Sequence, residues 1–255
     1  KFGGDTDNWM WPRHTGDFSV FRVYADKDGK PAEYSKDNVP YTPKKHLKIN
    51  IKGVEEGDFT FVFGYPGTTK QFLTSDAVDY VQNVEDPTRI KLRTARLDVY
   101  NRAMNESPAQ RLRYASKVAS VANGWKKWQG EVRGLKRLNA IEKKKAFEKD
   151  FNAWAQDKEE YRDVLAQLKK TYADIKDLNL SYTYLSEAIF ASDLMNQVKN
   201  VANIISLSEK NGKNEAEIVA LTEKFYNSLQ NYYSKDYVNH RKVDKEIFVK
   251  TMSIF

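Results

Sequence analysis

Phe59-Thr60-Phe61-Val62-Phe63-Gly64-Tyr65-Pro66-Gly67-Thr68-Thr69 is the stretch at which this chain changes character. Its first five residues are aromatic or β-branched and follow the Gly57-Asp58 turn, a pattern that predicts a buried strand. Gly64-Tyr65-Pro66-Gly67 then predicts a tight turn, because proline presets one backbone angle and glycine accepts the left-handed region. From Ser75 onward the apolar period lengthens to three and four residues. Leu112, Ala115, Val118, Ala119, Ala122, Trp125, Val132, Leu135 and Leu138 keep to that spacing over many turns, the mark of an amphipathic helix. Strands before the switch and helices after it predict an α+β chain with two domains, residues 1–72 and 73–255.

Toward the C-terminus, Pro87 suits the first turn of a helix beginning near Asp86. Ser107-Pro108 is the break expected before about residue 150, since the residue ahead of a proline avoids the helical region. Further helices are expected over Tyr161–Ile175, Leu180–Leu207, Glu215–Tyr233 and from Lys242 onward, with connectors at Asn179-Leu180-Ser181 and at residues 210–214. No repeat of fixed period is present, so long antiparallel helices are expected rather than a solenoid.

Toward the N-terminus, Leu47-Lys48-Ile49-Asn50-Ile51 alternates with a period of two, which predicts a strand. Ala25-Asp26-Lys27-Asp28-Gly29-Lys30-Pro31 predicts a turn, and Phe18 to Tyr24 a second strand-like run. Ahead of it, Lys1 to Phe18 gathers three glycines, one proline, two tryptophans and three aspartates, a composition unsuited to helix or strand. A shaped loop held by a strand is a common seat of recognition and catalysis, so this loop is the first candidate site.

The composition narrows the function. The chain has 255 residues, 40% hydrophobic and 30% charged, and no apolar run near the roughly 18 residues a membrane span requires. No membrane insertion is expected. Lys+Arg exceeds Asp+Glu by 42 to 35, a net charge of +7 that could serve nucleic acid. The basic residues are interleaved with acids, however, as in Lys143-Lys144-Lys145-Ala146-Phe147-Glu148-Lys149-Asp150, and no nucleic-acid-binding motif accompanies them. They read as solvated helix faces. With no cysteine there is no disulfide or thiolate metal site. Asp5-Thr6-Asp7-Asn8 begins like a calcium loop, but Met10 stands where its glycine should be and Gly16 where its bidentate glutamate should be. His14, His46 and His240 lack ligand spacing, so neither metal nor cofactor is expected.

The runs GGDTDNWMWPRHTGDF (Gly3 to Phe18), FVFGYPGTT (Phe61 to Thr69) and VANGWKKWQG (Val121 to Gly130) resemble the S46 family of bacterial dipeptidyl peptidases. The resemblance implies part of a chymotrypsin-like β-barrel catalytic domain followed by a large, mostly α-helical domain that caps the cleft. It implies a serine exopeptidase that releases dipeptides from free N-termini of oligopeptides, placed in the periplasm or at the cell surface, with a homodimer as the expected assembly of the full-length protein. Lys1 is not an initiator Met, and Phe255 falls inside an apolar-patterned run, so the chain is expected to be a middle portion of a longer protein. A helical binding or scaffold module with a small β cap is the alternative from another class.

Taken locally, Asp17 is an aspartate at a turn into a strand; the resemblance assigns it the triad carboxylate, which orients the imidazole and stabilises its cation. His14 lies close by, but the resemblance places the base in an upstream segment, leaving His14 a structural role. No Gly-flanked serine motif occurs either, so the expected inventory is one triad member of three. Asn8 and Trp9, with Asn123 of the helical region, are implied by the resemblance to bind the substrate's α-ammonium, a three-donor group that carboxamide and carbonyl oxygens can accept. Read without it, they are a turn asparagine, a packing tryptophan and a helix-surface asparagine.

Overall fold

Asp26 organises the first turn among the described residues. Its Oδ1 accepts from the backbone N–H of Asp28 at 2.9 Å and of Lys30 at 2.7 Å, and Gly29 takes φ +77°, where a side chain would be strained. The computed structural model describes residues 19–61, 63, 64, 67, 68, 70–209, 215–232 and 237–255. They fall into two compact units, Lys1–Gln71 and Phe72–Phe255.

In the first unit, β1 (Tyr24–Ala25) pairs antiparallel with β2 (Val39–Pro40), Tyr24 facing Pro40 and Ala25 facing Val39. This two-stranded ladder is the whole of the sheet among the described residues. Among the described residues no strand forms over Leu47–Ile51 or at residues 59–61 and 63, and of residues 19–24, the described part of the run expected from Phe18 to Tyr24, only Tyr24 enters the ladder. A strand satisfies its N–H and C=O groups through neighbours, and no described segment lies beside these runs to supply them. Their apolar side chains stand in solvent, Leu47 at 94%, Ile51 at 93% and Phe63 at 96% exposure. The described residues therefore make a hairpin and loops, and do not build a β-barrel.

The second unit is helical. Its first helix, α1 (Ser75–Tyr80), is capped by Thr74, whose hydroxyl accepts from Ala77 N–H at 3.4 Å. Glu148 adds a cap from far along the chain, receiving the Ser75 N–H at 2.5 Å and its hydroxyl at 2.6 Å. No new helix starts at Asp86. A π-helical turn, Val81–Glu85, joins α1 directly to α2 (Asp86–Glu106), so Pro87 sits inside a continuous rod. Proline lacks an N–H and crowds the carbonyl four residues back; the wider turn immediately ahead of it relieves both problems.

The Ser107-Pro108 break is as expected: Ser107 is extended, its hydroxyl accepts from Gln110 N–H at 3.2 Å, and Pro108 opens α3 (Pro108–Arg137). A second break appears at Asn139, left-handed at φ +50°, before α4 (Ala140–Ala155). Next, α5 (Val164–Tyr184) runs straight through the connector expected at Asn179–Ser181 and into another π-helical turn, Leu185–Ile189. The break falls after it instead, ahead of α6 (Asp193–Glu209), and α7 (Glu215–Tyr232) and α8 (Tyr237–Met252) complete the unit. No described helix is long and apolar enough to cross a membrane.

Contacts of Arg93 with Val121 and of Tyr100 with Tyr114 run in opposite senses, so α2 and α3 form an antiparallel pair. Leu97, Val99, Tyr100 and Ala103 of α2 bury against Tyr114, Val121 and Ala122 of α3, Ala191, and Val243 and Ile247 of α8. Each fully buried large side chain is worth roughly 1.5–3 kcal/mol. Leu112 and Leu138, placed on the apolar stripe by spacing, are instead 84% and 54% exposed. The buried stripe of α3 passes through Tyr114, Val121 and Ala122, because α2 packs along that side.

Candidate functional site

Asn123 is exposed on α3, and the turn that carries it is unusually well tied down. One residue before the preceding Ala122, the Val121 carbonyl accepts a hydrogen bond from Arg93 Nη1 at 3.0 Å. One residue after Asn123, Gly124 leaves open the space the guanidinium occupies: a Cβ there would meet Arg93 Nη1 at 2.5 Å. Trp125 donates its indole N–H to Thr94 Oγ1 at 2.8 Å, and the Trp128 ring lies under Arg93 at 4.3 Å and Arg89 at 5.1 Å. The run VANGWKKWQG is thus a docking face for α2.

Glu187, in the second π-helical turn, completes the arrangement. Its carboxylate accepts from Arg93 Nε at 2.9 Å and Nη2 at 2.7 Å, a two-pronged pairing, and from Arg96 Nη1 at 3.2 Å. Glu187 is buried and both arginines are largely so. Arg89 pairs separately with Glu85 at 2.8 Å. One buried carboxylate therefore serves two guanidiniums, and Arg96 Nε is left without a hydrogen-bond partner. Beside Arg96, burial pushes the Tyr100 hydroxyl up to about 12, with the arginine charge opposing it.

Asp86 carries a different stress. It is buried, and its Oδ2 has no hydrogen-bond partner. Burial, reinforced by the negative charge of Glu131 and opposed by Lys127 and Arg89, raises its carboxyl to about 7. A third polar group lies deeper in the unit. His240 contacts the Tyr114 hydroxyl through Nδ1 at 3.0 Å and Asp193 Oδ2 through Nε2 at 3.1 Å, and Lys117 also binds Asp193. Among the described residues no group of three or more carboxylates or imidazoles is arranged to hold a metal ion.

Of the residues singled out from sequence, only Asn123 can be placed: Asp17, Asn8, Trp9 and His14 lie outside the described residues. Sequence reasoning missed Arg93 and Glu187. The spacing of Arg89, Arg93 and Arg96 does put three guanidiniums on one face of α2, a legible signal. Nothing local marks Glu187 as the partner of Arg93 and Arg96.

The family model of Peptidase S46 matches residues 1–254. The chain is 41% identical over its full length to an Asp/Glu-specific dipeptidyl-peptidase of Capnocytophaga gingivalis, covering 36% of that protein. It is 45% identical over 210 residues to dipeptidyl-peptidase 7 of Porphyromonas gingivalis, covering 81% of this chain and 29% of the relative. Among solved structures, the crystal structure of Porphyromonas endodontalis DPP11 in complex with the dipeptide Arg-Glu matches with a TM-score of 0.73 at 38% identity, over 99% of this chain and 36% of that one. The chain spans about a third of the length of the relatives it matches.

Proposed function

This chain belongs to the peptidase S46 family, and from that premise we propose that the full-length protein is a serine-type exopeptidase releasing dipeptides from the free N-terminus of oligopeptides. The observation that carries the reading is the family match running from residue 1 to residue 254, which takes in all three sequence runs described above. Residues 1–72 then contribute part of a chymotrypsin-like barrel, and residues 73–255 a helical domain that caps the cleft. The exposed apolar runs Leu47–Ile51 and Phe59–Phe63 suit this role, since they are strand sequences awaiting strand neighbours. The same reading places the protein in the periplasm or at the cell surface.

Chemically, Asp17 serves as the triad carboxylate. It accepts the imidazole Nδ1 proton, fixes the tautomer that can take a proton from the serine, and stabilises the imidazolium that results. The serine and the histidine come from segments outside residues 1–255. Asn8, Trp9 and Asn123 bind the substrate's α-ammonium. An internal peptide has no ammonium and would leave those polar groups unpaired, which is how a site built for hydrogen bonding rejects it.

A hydrogen bond to a charged group is worth roughly 1.5–3 kcal/mol. Asn123→Ala in the full-length protein should therefore lower kcat/KM by about 10- to 150-fold on dipeptidyl reporters with a free amine. N-acetylated reporters should be poor for the wild type and lose little more in the variant. Equal losses on both would remove Asn123 from the ammonium site, and failure of the full-length protein to release dipeptides would overturn the reading as a whole.

A further inference from the structure

We propose that Arg93 is a positioning residue for the ammonium site, holding the turn of α3 that presents Asn123; this inference rests on the role given to Asn123 above. Three features that stability alone does not call for meet at Arg93. Gly124 sits in mid-helix, where glycine costs up to about 1 kcal/mol relative to alanine. The Arg93–Glu187 pair is buried, and well-packed apolar residues would commonly join two helices at no loss. Glu187 is delivered by a π-helical turn, a rare insertion found frequently at functional sites.

What this combination supplies is direction. An apolar contact would let α3 slide or rotate slightly against α2, whereas the guanidinium fork fixes three bonds at once, two to Glu187 and one to the Val121 carbonyl. The Trp128 ring under the guanidinium closes off its remaining freedom. Gly124 is the steric counterpart. A Cβ at 2.5 Å from Nη1 would ordinarily be met by a swing of the flexible arginine, but here the swing would break all three bonds. Asn123 lies between the Val121 carbonyl and Gly124 along the chain, so its orientation is set from both sides.

A double-mutant cycle in the full-length protein tests this, with Asn123→Ala, Arg93→Lys and the double variant assayed on free-amine and N-acetylated dipeptidyl reporters. Lysine keeps the charge but cannot reproduce the fork. Arg93→Lys alone should lower kcat/KM on the free-amine reporter by about 10- to 100-fold, the scale of a small misplacement of a binding group. In the Asn123→Ala background the same change should cost less than about twofold, because the residue it positions is gone. Equal losses in the two backgrounds would overturn the inference while leaving Asn123 in place. No loss in Asn123→Ala alone would remove the ammonium reading and this inference with it. Should Arg93→Lys fail to fold by circular dichroism, Gly124→Ala enters the same cycle, since it displaces the guanidinium and keeps every charge; the same two outcomes decide.

Discussion

His240 Nε2 lies 3.1 Å from Asp193 Oδ2, joining α8 to the first residue of α6. Burial alone would push the Asp193 carboxyl up; the hydrogen bond from His240 and the charge of Lys117 outweigh it and hold the group at about 2, below its ordinary 3.8. A carboxyl depressed in the folded state stabilises the fold above its unfolded value and loses that contribution as pH falls toward the folded one.

Asp193→Asn should accordingly destabilise the protein at about pH 6, by about 1–3 kcal/mol for a broken charged hydrogen bond, and the deficit should shrink toward about pH 2. Denaturant melts of both proteins across that range would check it. A deficit independent of pH would mean that the loss comes from packing rather than from charge.

Asp86 has the opposite sign. Its carboxyl is raised to about 7 from 3.8, so the folded state holds a proton that the unfolded state releases, and stability is lost as pH rises through that window. Asp86→Asn, which keeps the shape and removes the charge, should raise the Tm at about pH 8 by several degrees, each kcal/mol being worth about 2–4 °C, and change it little at about pH 4. An unaltered Tm at about pH 8 would show that the buried carboxylate is ionised without penalty.

Asp244 caps α6 from a distance. Its carboxylate accepts from the Ser192 hydroxyl at 2.8 Å and from the N–H groups of Asp193 at 2.7 Å and Leu194 at 3.1 Å. Asp244→Ala should cost about 1–3 kcal/mol, and amide exchange should accelerate in α6 more than in α2. A uniform acceleration across both helices would contradict a local capping role.

Asp17→Asn in the full-length protein should keep the fold and lose about 10⁴ in kcat, the loss that the same substitution causes in a serine-protease triad by presenting the wrong imidazole tautomer. A near-normal kcat would take Asp17 out of the triad.

The sequence by itself determined what depends on neighbours in the chain. Asp26 and Gly29 specify their turn through one carboxylate and one positive φ. Ser107-Pro108 specifies both the end of α2 and the cap of α3, and the helix expected from Glu215 to Tyr233 is found over Glu215–Tyr232. Tertiary structure decided the rest. Leu47–Ile51 and Phe59–Phe63 have strand patterns, yet their described residues form no strand, because pairing is a property of two segments and a pattern describes only one. Pro87 reads as a helix start until the π-helical turn ahead of it lets one rod continue. Asn179–Ser181 reads as a connector, yet α5 runs through it to Tyr184, and the Thr183 hydroxyl donates back to the Asn179 carbonyl at 2.9 Å. At the candidate site Asn123 was legible as a residue, while the hold upon it was not: Glu187 meets Arg93 across 94 positions of sequence, and Gly124 is small because of an arginine on another helix. Local composition states which groups need a partner; only the folded chain chooses which partner arrives.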